Sequence, residues 1–574
     1  MCLKSGCNRQ RLAITVASSY TTTASHFYSL PPARWFSLLR RHLILTPLHK
    51  FRHNNPFIVI IPAPAIKIHL GSLPSRLNFI IIFLYLLSNV LYCTLYLPWG
   101  GSVGPGGKFR EPTEAALIAE FRGRTGVMAV VNMVPLFVCM ARNNFVGQVV
   151  GIGFDSVVHM LAWAVNKVDQ AGWKGLNEAV KTSHFYQVGL MAEIALILIA
   201  VLSASPLRHA NYEFFLSVHQ LLVVFFVAGV WWHLYIDILP QMVYCNFAIA
   251  IWVADRVFRI LRILRNNIRW RRRGLSCSVA EVSPLEGGDA VRFSVELSTP
   301  FKYRPGTHAY LYVPRIGWWQ SHPFSIAWSS IEESTQMVEM TQTPERWEIQ
   351  NSTPTTATPQ AATVHFIISK RNGFTKALYD AAQSAAATAD PEKPETRCAL
   401  KVLGLVEGPY DGHHSFDSFG TVVLVAGGVG ITHCLGYVRH LLHRYSEGTV
   451  ATQRVKLVRV IRKSEHINWV SDWLEEILRM PLCRRVHTTI SGNGWAGRGG
   501  LVKVHVRRPE FETVLEKVVR RRVGATAVTV CGGGAVSDSV RTATLKFVDQ
   551  ATIDFSEESF TWYRQVAIHS FLPT

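Results

Sequence analysis

None of the ten cysteines forms a CxxC pair, and no even framework of closely spaced cysteines is present. A zinc ribbon and a small disulfide-stapled secreted scaffold are both excluded. Cys93, Cys139 and Cys245 lie in apolar stretches and Cys434 and Cys531 near glycines, which suits a reducing interior or a lipid setting. Acidic side chains are also scarce, 39 against 59 Lys and Arg, for a net charge of +20. Charge of that size invites a nucleic-acid partner, but the excess sits beside apolar spans rather than along a soluble face, so membrane flanks explain it and no nucleic acid is expected. Residues Met1 to Leu12 are polar and basic, and the Thr- and Ser-rich stretch that follows lacks a sustained apolar core, which excludes a clean signal peptide. There is no internal repeat and no dedicated external metal cage.

What the chain does have is length, since 574 residues exceed what one core organises and imply two or more domains. Six apolar runs are candidate membrane spans: 78–98, 127–141, 146–166, 186–204, 214–236 and 240–262. Arg40, Arg41, Lys50 and Arg52 precede the first, and Arg259, Arg262, Arg265, Arg269 and Arg271 to Arg273 follow the last. Basic flanks at both ends place both termini in the cytosol, as an even number of spans requires. After Arg273 the pattern changes to short β-branched runs such as Ala290 to Leu297 and His308 to Val313, which predict a small antiparallel barrel. From Thr421 onward apolar strands alternate with helical stretches, the pattern of an α/β domain. Two polar inserts, Thr341 to Thr363 and Ala381 to Glu395, are expected as loose surface loops. The resulting division is 1–77 unassigned and cytosolic, 78–265 transmembrane, 274–415 barrel and 416–574 α/β.

Three constellations carry chemistry. His219 and His233 stand fourteen residues apart on one apolar segment, LSVHQLLVVFFVAGVWWHL. Nearly four helical turns put both rings on one face, roughly 21 Å apart along the axis. Imidazole in lipid is costly unless paired or ligated, so the pair suggests haem ligation, with interfacial histidines bonded to backbone as the alternative. His159, in FDSVVHMLAWAV, would contribute from a second helix. Next, VVLVAGGVGIT at Val422 to Thr432 is a strand running through Gly427, Gly428 and Gly430 into a helix, which suits a pyrophosphate at a helix N-terminus. A further strand ending in TVCGGG at Thr529 to Gly534 gives a second glycine-lined edge on the same sheet. Last, RPGTHAYLYVP leads into HPFSI at His322 to Ile326, and later into RNGFT at Arg371 to Thr375. Pro323 fixes backbone, Phe324 supplies a flat wall, Ser325 a hydroxyl and Gly373 room for a phosphate, although ordinary barrel packing would use the same residues.

In this order the motifs resemble the fungal ferric and cupric reductases, relatives of the NADPH oxidases, over residues 33 to 562. The likeness extends to RRHLILTPLHKFRHN, LPSR, ARNN, SPLRHA, EGPY at Glu407 to Tyr410 and EESFTW at Glu557 to Trp562. The fold this implies is an α-helical transmembrane bundle followed by a ferredoxin-reductase-like module: an antiparallel β-barrel FAD domain plus an α/β Rossmann-like NADP domain. By resemblance, His322, Pro323, Phe324, Ser325 and Ile326 bind FAD, with Gly373 and Thr375 near its pyrophosphate. Gly427, Gly428, Gly430, Ile431 and Thr432 bind NADPH, and Cys531 and Gly532 approach the nicotinamide, which makes Ser325 and Cys531 the catalytic candidates. Arg462 and Lys463 would meet a 2′-phosphate, although basic pairs at strand ends are commonly solvated surface. His159, His219 and His233 are the candidate ligands of haem b iron.

The activity implied is transfer of electrons from cytosolic NADPH through FAD and haem to ferric chelates or cupric ion outside the plasma membrane, beside an iron permease and oxidase system. One departure bears on it. Where the family has two histidines on the first haem helix, this chain passes from GIGFDS directly to VVHMLAWAVNKVD, leaving His159 to pair with His233 and His219 without a partner. CGGG also replaces the family's CGPG, and Asp411 is inserted in EGPYDG. A superoxide-producing NADPH oxidase and a non-catalytic membrane flavoprotein with a broken relay are the alternatives.

Overall fold

The computed structural model describes residues 38–48, 58–61, 66–69, 75–95, 97, 102–103, 109–110, 113–140, 172–175, 177–204, 207, 212–271, 274–299, 304–318, 320–330, 362–388, 400–410, 415–480, 486–491, 502–505, 508–548, 550 and 552–558. The chain divides into two compact units, one holding Leu38–Phe258 and the other Arg259–Thr561.

The first unit is helical. Helix α1 (Arg76–Thr94) starts at Ser75, whose Oγ accepts from Asn78 N, and α2 (Glu114–Val131) starts at Thr113, whose Oγ1 accepts from Ala116 N. After Asn132 come α3 (Met133–Met140), α4 (His184–Leu202), α5 (Tyr212–Ile236) and α6 (Met242–Asn267). Helices α4 and α5 lie tightly together because small residues meet between them: a Cβ on Gly229 would come 2.9 Å from Ala192 Cβ. Around that contact Met133, Phe137, Leu196, Phe226, Leu234 and Cys245 form the core.

Three described helices, α1, α4 and α5, are long and apolar enough to cross a membrane. That is fewer than the six runs expected. The run 127–141 straddles the break at Asn132, and its first part belongs to a helix that begins in charged sequence at Glu114. Asn132 tolerates burial because its Oδ1 accepts from Tyr85 Oη at 2.6 Å, tying α1 to the break. The run 146–166 lies outside the described residues. Helix α6 is long enough, but Asp255, Arg256, Arg259, Arg262 and Arg265 make its C-terminal half polar.

The second unit holds two lobes. Strands β1 (Val279–Pro284), β2 (Ala290–Leu297), β3 (His308–Tyr312), β4 (His322–Ser325), β5 (Trp328–Ser330), β6 (Ala362–Ser369), β7 (Leu400–Leu403) and β8 (Leu405–Tyr410) form two antiparallel sheets, ordered β5-β6-β2-β1-β7 and β4-β3-β8. Alternation along β2 and β3 sends Val291, Phe293, Val295, Ala309 and Leu311 into a shared core that α7 (Phe374–Ala387) closes with Phe374, Leu378 and Ala382. Helix α7 corrects the expectation of a loose loop from Ala381 to Glu395. The alanines precede the prolines there, so good helix formers continue the helix to Ala387.

The other lobe is a parallel sheet of β9 (Thr421–Gly427), β10 (Arg454–Val460), β11 (Val486–Ser491), β12 (Val502–His505), β13 (Thr526–Cys531) and β14 (Ile553–Glu558), ordered β12-β11-β10-β9-β13-β14. Its helices are α8 (Ile431–Ser446), α9 (Ser471–Arg479), α10 (Phe511–Arg520) and α11 (Gly534–Leu545). Central β9 is buried from Thr421 to Ala426, as a parallel strand covered on both faces must be. Ala290, Ala327, Trp328 and Ile367 of the barrel join the core of this lobe, so the two share one apolar interior.

Candidate functional site

Strand β4 is the HPFS tetrapeptide itself, pairing antiparallel with β3 so that Ser325 faces His308 and Pro323 faces Tyr310. The His322 ring stacks on Phe374 at 4.4 Å, which brings HPFS and RNGFT together. Gly373 caps α7 with φ +69° and offers no side-chain acceptor, so no side chain closes the N-terminus of that helix, an arrangement that suits an anion. Thr375 Oγ1 accepts from Arg371 N at 2.9 Å and folds the turn. Ser325 and Ile326 are buried, and Ile326 N donates to Thr307 O at 3.1 Å.

At the other lobe the two glycine edges meet. Strands β9 and β13 are parallel neighbours with Ala426 opposite Cys531. A Cβ on Gly427 would come 3.2 Å from Gly532 Cα, and one on Gly430 would come 2.0 Å from Cys531 O. Only glycine fits at Gly430, and the bare backbone at both strand tips makes a cradle that side chains would fill. Gly430 also caps α8 without a side-chain hydrogen bond. Ile431 and Thr432 are buried in its first turn. This crevice suits a dinucleotide pyrophosphate. Cys531 is fully buried beside Cys434, and burial pushes both thiols up, so neither is a thiolate at neutral pH.

Between the lobes runs a polar and aromatic seam that the sequence did not announce. Arg439, Trp328, Trp473 and Arg292 stack in that order: each guanidinium covers an indole, at 4.4 and 4.6 Å, and the indoles lie 5.8 Å apart and nearly parallel. Arg292 also grips Asp472 with two bonds of 2.8 and 3.1 Å. Nearby, Asp289 Oδ2 accepts from Lys463 Nζ at 2.8 Å and sits 3.0 Å from His466 Nε2. Lys463 is therefore committed to the seam, and of the basic pair expected at a 2′-phosphate only Arg462 stands exposed without a role in it. The Lys463 bond holds the Asp289 carboxyl below its ordinary range against a partial opposing effect of burial, and His466 adds to it.

In the helical unit, α5 carries both His219 and His233 without interruption. His233 Nδ1 lies 3.0 Å from Phe185 O on α4, and its ring stacks on Phe185 at 3.8 Å. A ring nitrogen that donates to a carbonyl leaves Nε2 with its lone pair, the tautomer an axial ligand needs. Gly189 makes room for this ring, since a Cβ there would come 2.8 Å from His233 Nδ1. His219 differs: its Nδ1 is buried and has no hydrogen-bond partner. His233 thus suits haem by an oriented ring, whereas no hydrogen bond orients His219 through Nδ1. His159 lies outside the described residues.

Three families match the chain in sequence: the ferric reductase like transmembrane component over residues 125–230, an FAD-binding domain over 275–414 and the ferric reductase NAD-binding domain over 419–491. Domain by domain, the chain matches the ferric reductase family. Among its relatives, the ferric/cupric reductase transmembrane component 7 of Saccharomyces cerevisiae is 24% identical, covering 70% of this chain and 58% of the relative. The ferric reductase transmembrane component 6 of the same yeast is 21% identical over 94% of this chain and 73% of its own length. A probable cell surface ferric reductase of Aspergillus oryzae is 26% identical over 63% of this chain and 45% of its own. The chain thus spans little more than half the length of the first of these relatives. Among solved structures, a ferredoxin NADP+ reductase from Neisseria gonorrhoeae with bound FAD and NADP aligns with 49% of this chain and 97% of its own at 12% identity, with a TM-score of 0.30.

Within this family frame, sequence reasoning passed over Glu407 of EGPY. It is fully buried on β8, accepts from Arg259 Nε at 2.9 Å and Tyr410 Oη at 2.5 Å through Oε1, and from Tyr312 Oη at 2.6 Å through Oε2. The available signal was a carboxylate inside a motif rich in small and aromatic residues. Arg259, counted in sequence only as a membrane-flanking charge, is its partner.

Proposed function

We propose that this chain moves electrons from cytosolic NADPH, through FAD and haem b, to an acceptor across the plasma membrane, with ferric chelates or cupric ion as acceptors. The observation that carries the reading is the joining, in one unit, of the HPFS strand, the Gly373 cap and the Gly427–Gly532 cradle, on the same chain as a helix bearing His219 and His233. The working division is a haem domain over 78–265, an FAD domain over 274–415 and an NADPH domain over 416–574, with 1–77 and both termini on the cytosolic side. An iron permease and oxidase system belongs to the same reading as the consumer of the reduced metal.

When bound, FAD and NADPH would supply hydride chemistry and haem would supply single-electron chemistry. The chain's own residues supply place and environment. His322, Pro323, Phe324, Ser325 and Ile326 would hold the flavin ring, with the Ser325 hydroxyl at its polar edge. Gly373 and Thr375 would take its pyrophosphate. Gly427, Gly428, Gly430, Ile431 and Thr432 would seat NADPH, Arg462 would meet its 2′-phosphate, and Gly532 and the neutral Cys531 would flank the nicotinamide without adding charge. His159, His219 and His233 would be the residues that hold haem iron.

A second reading has a specific observation in its favour: His219 Nδ1 is unpartnered, and the histidine that would face it is missing from GIGFDSVVHMLAWAV. On that reading the chain is a membrane flavoprotein that takes up nucleotide without passing electrons across. Haem per chain by pyridine-haemochrome, measured with NADPH-driven haem reduction, separates the two. Haem that NADPH reduces supports the relay, whereas flavin reduction alone leaves the non-catalytic flavoprotein. Supplying ferric chelate, cupric ion or oxygen in turn then distinguishes metal reduction from superoxide production.

A further inference from the structure

The EGPY strand and the last turns of α6 meet in a network that binding of flavin or nucleotide does not account for. From Arg259 onward α6 belongs to the same unit as the barrel. Strand β8 is the edge of its sheet, and the helix end supplies its missing neighbour. Asn267 Oδ1 accepts from Val406 N and its Nδ2 donates to Val406 O, both at 2.8 Å, as the peptide of a paired strand would. Asn266 Nδ2 donates to Gly408 O at 2.8 Å. Above these amides Arg259, Glu407, Tyr312 and Tyr410 form the buried charge network, and Arg262 covers the Tyr410 ring at 4.5 Å.

A buried ion pair is a poor way to gain stability, because removing both charges from water cancels most of their attraction, and well-packed apolar residues of like volume serve as well or better. What such a pair does provide is a single geometry, since any displacement leaves a charge uncompensated in the interior. The geometry fixed here is that of α6 against β8, which lies two strand spacings, about 10 Å, across the sheet from HPFS on β4. At its other end α6 is tied to the histidine-bearing helix, where Trp231 Nε1 of α5 donates to Asn246 Oδ1 at 3.0 Å.

We propose that Glu407 and Arg259 are positioning residues for the transfer of electrons out of the flavin domain: they fasten the helix that continues from the membrane half to the sheet that carries the flavin strand. This role rests on the relay proposed above. Transfer between redox centres falls steeply with misplacement, so loosening α6 from β8 acts on that step and leaves hydride delivery from NADPH alone.

The test uses the full-length chain in lipid nanodiscs, loaded with FAD and haem, and compares the wild type with Glu407→Gln, Tyr312→Phe, Arg259→Lys and the Arg259→Glu/Glu407→Arg exchange. Stopped-flow absorbance follows flavin reduction and haem reduction separately, and amide hydrogen exchange over 259–267 reports the fastening independently of electron flow. In Glu407→Gln, flavin reduction stays at the wild-type rate, haem reduction slows about tenfold or more, as misplacement remote from the chemistry can do, and exchange over 259–267 rises. Tyr312→Phe, which removes one bond and keeps the fold, shifts haem reduction and exchange in the same direction by less, and Arg259→Lys and the charge exchange recover part of the loss. Haem reduction at the wild-type rate in Glu407→Gln and Tyr312→Phe, a parallel fall in flavin reduction, or unchanged exchange overturns the positioning role alone. A wild-type chain in which NADPH reduces flavin and no haem overturns the relay and this role together.

Discussion

The two units answer their charges over different spans of chain. In the Arg259–Thr561 unit the groups sequence motifs point to converge, and the charged residues around them are paired: Asp289 with Lys463, Arg292 with Asp472, Arg259 with Glu407. In the Leu38–Phe258 unit the ion pairs among the described residues are local, Glu120 with Arg124 and Asp255 with Arg256, and buried His219 Nδ1 and Glu193 Oε1 have no hydrogen-bond partner, as Arg459 Nε, Thr529 Oγ1 and Ser537 Oγ have none in the other unit. Orphaned polar atoms are costly in an apolar interior and are tolerated where something else is meant to satisfy them. Both units keep such atoms, so what separates them is the charge pairing, long-range in the unit that carries the nucleotide motifs and local in the helical one. The lesson falls on the two histidines of α5, of which only His233 is oriented by a hydrogen bond.

The sharpest way to break this contrast is to substitute the two histidines separately. His233→Leu is expected to abolish the haem absorbance of the purified chain, because that ring is oriented by Phe185, whereas His219→Leu leaves most of it. Equal losses would show that His219 is as well ligated as His233 and would erase the asymmetry. Next in size, Gly430→Val drives a side chain into Cys531 O and is expected to destabilise the soluble unit by about 3 kcal/mol and to stop flavin reduction by NADPH. Thermal unfolding and single-turnover flavin bleaching measure the two effects. An unaffected Tm would mean that the crevice is softer than the contact implies.

A pH experiment sharpens the Arg259–Thr561 side. Burial, and then the Arg292 guanidinium, pushes the His365 imidazole down from 6.5 to about 4. The unfolded chain therefore binds this proton more readily than the folded one. The stability is fully present above pH 6.5 and is lost as pH falls toward the folded value, by at most about 3 kcal/mol from the shift. His365→Leu is expected to flatten that slope in urea titrations between pH 7 and 4, and a slope equal to wild type would assign it to other groups. The smallest effect concerns cofactor choice. Arg462→Met is expected to raise KM for NADPH several-fold and leave NADH untouched, while Lys463→Met changes neither, because its ammonium belongs to Asp289. A rise in KM with Lys463→Met would return it to the phosphate site.

Much of this was open to reading in the sequence, and the reason is local. HPFS, RNGFT and GGVGIT specify backbone conformation within a few residues, so a strand, a glycine cap and a strand-to-helix turn can be recognised before any tertiary contact is known. The spacing of His219 and His233 likewise follows from helix geometry. What stayed hidden is made of partners far apart in the chain. Nothing near Glu407 identifies Arg259, and nothing near Lys463 says that its charge is answered by Asp289. Trp328 and Trp473 become a stack only once barrel and α/β lobe meet. Local composition also misled in one place: averaged over Ala381 to Glu395 the stretch looks like a loop, while its order, alanines first and prolines after, continues α7.

The glycine-to-glycine contact between the tips of β9 and β13 has a bearing on inheritance. Gly427 and Gly532 sit in motifs far apart in the chain, yet neither backbone can take a side chain while the other stays where it is. What each added side chain would strike is the other's main chain, which every residue type carries. Replacing one glycine therefore gives the other no added room, and each position is held to glycine separately by a neighbour about a hundred residues away.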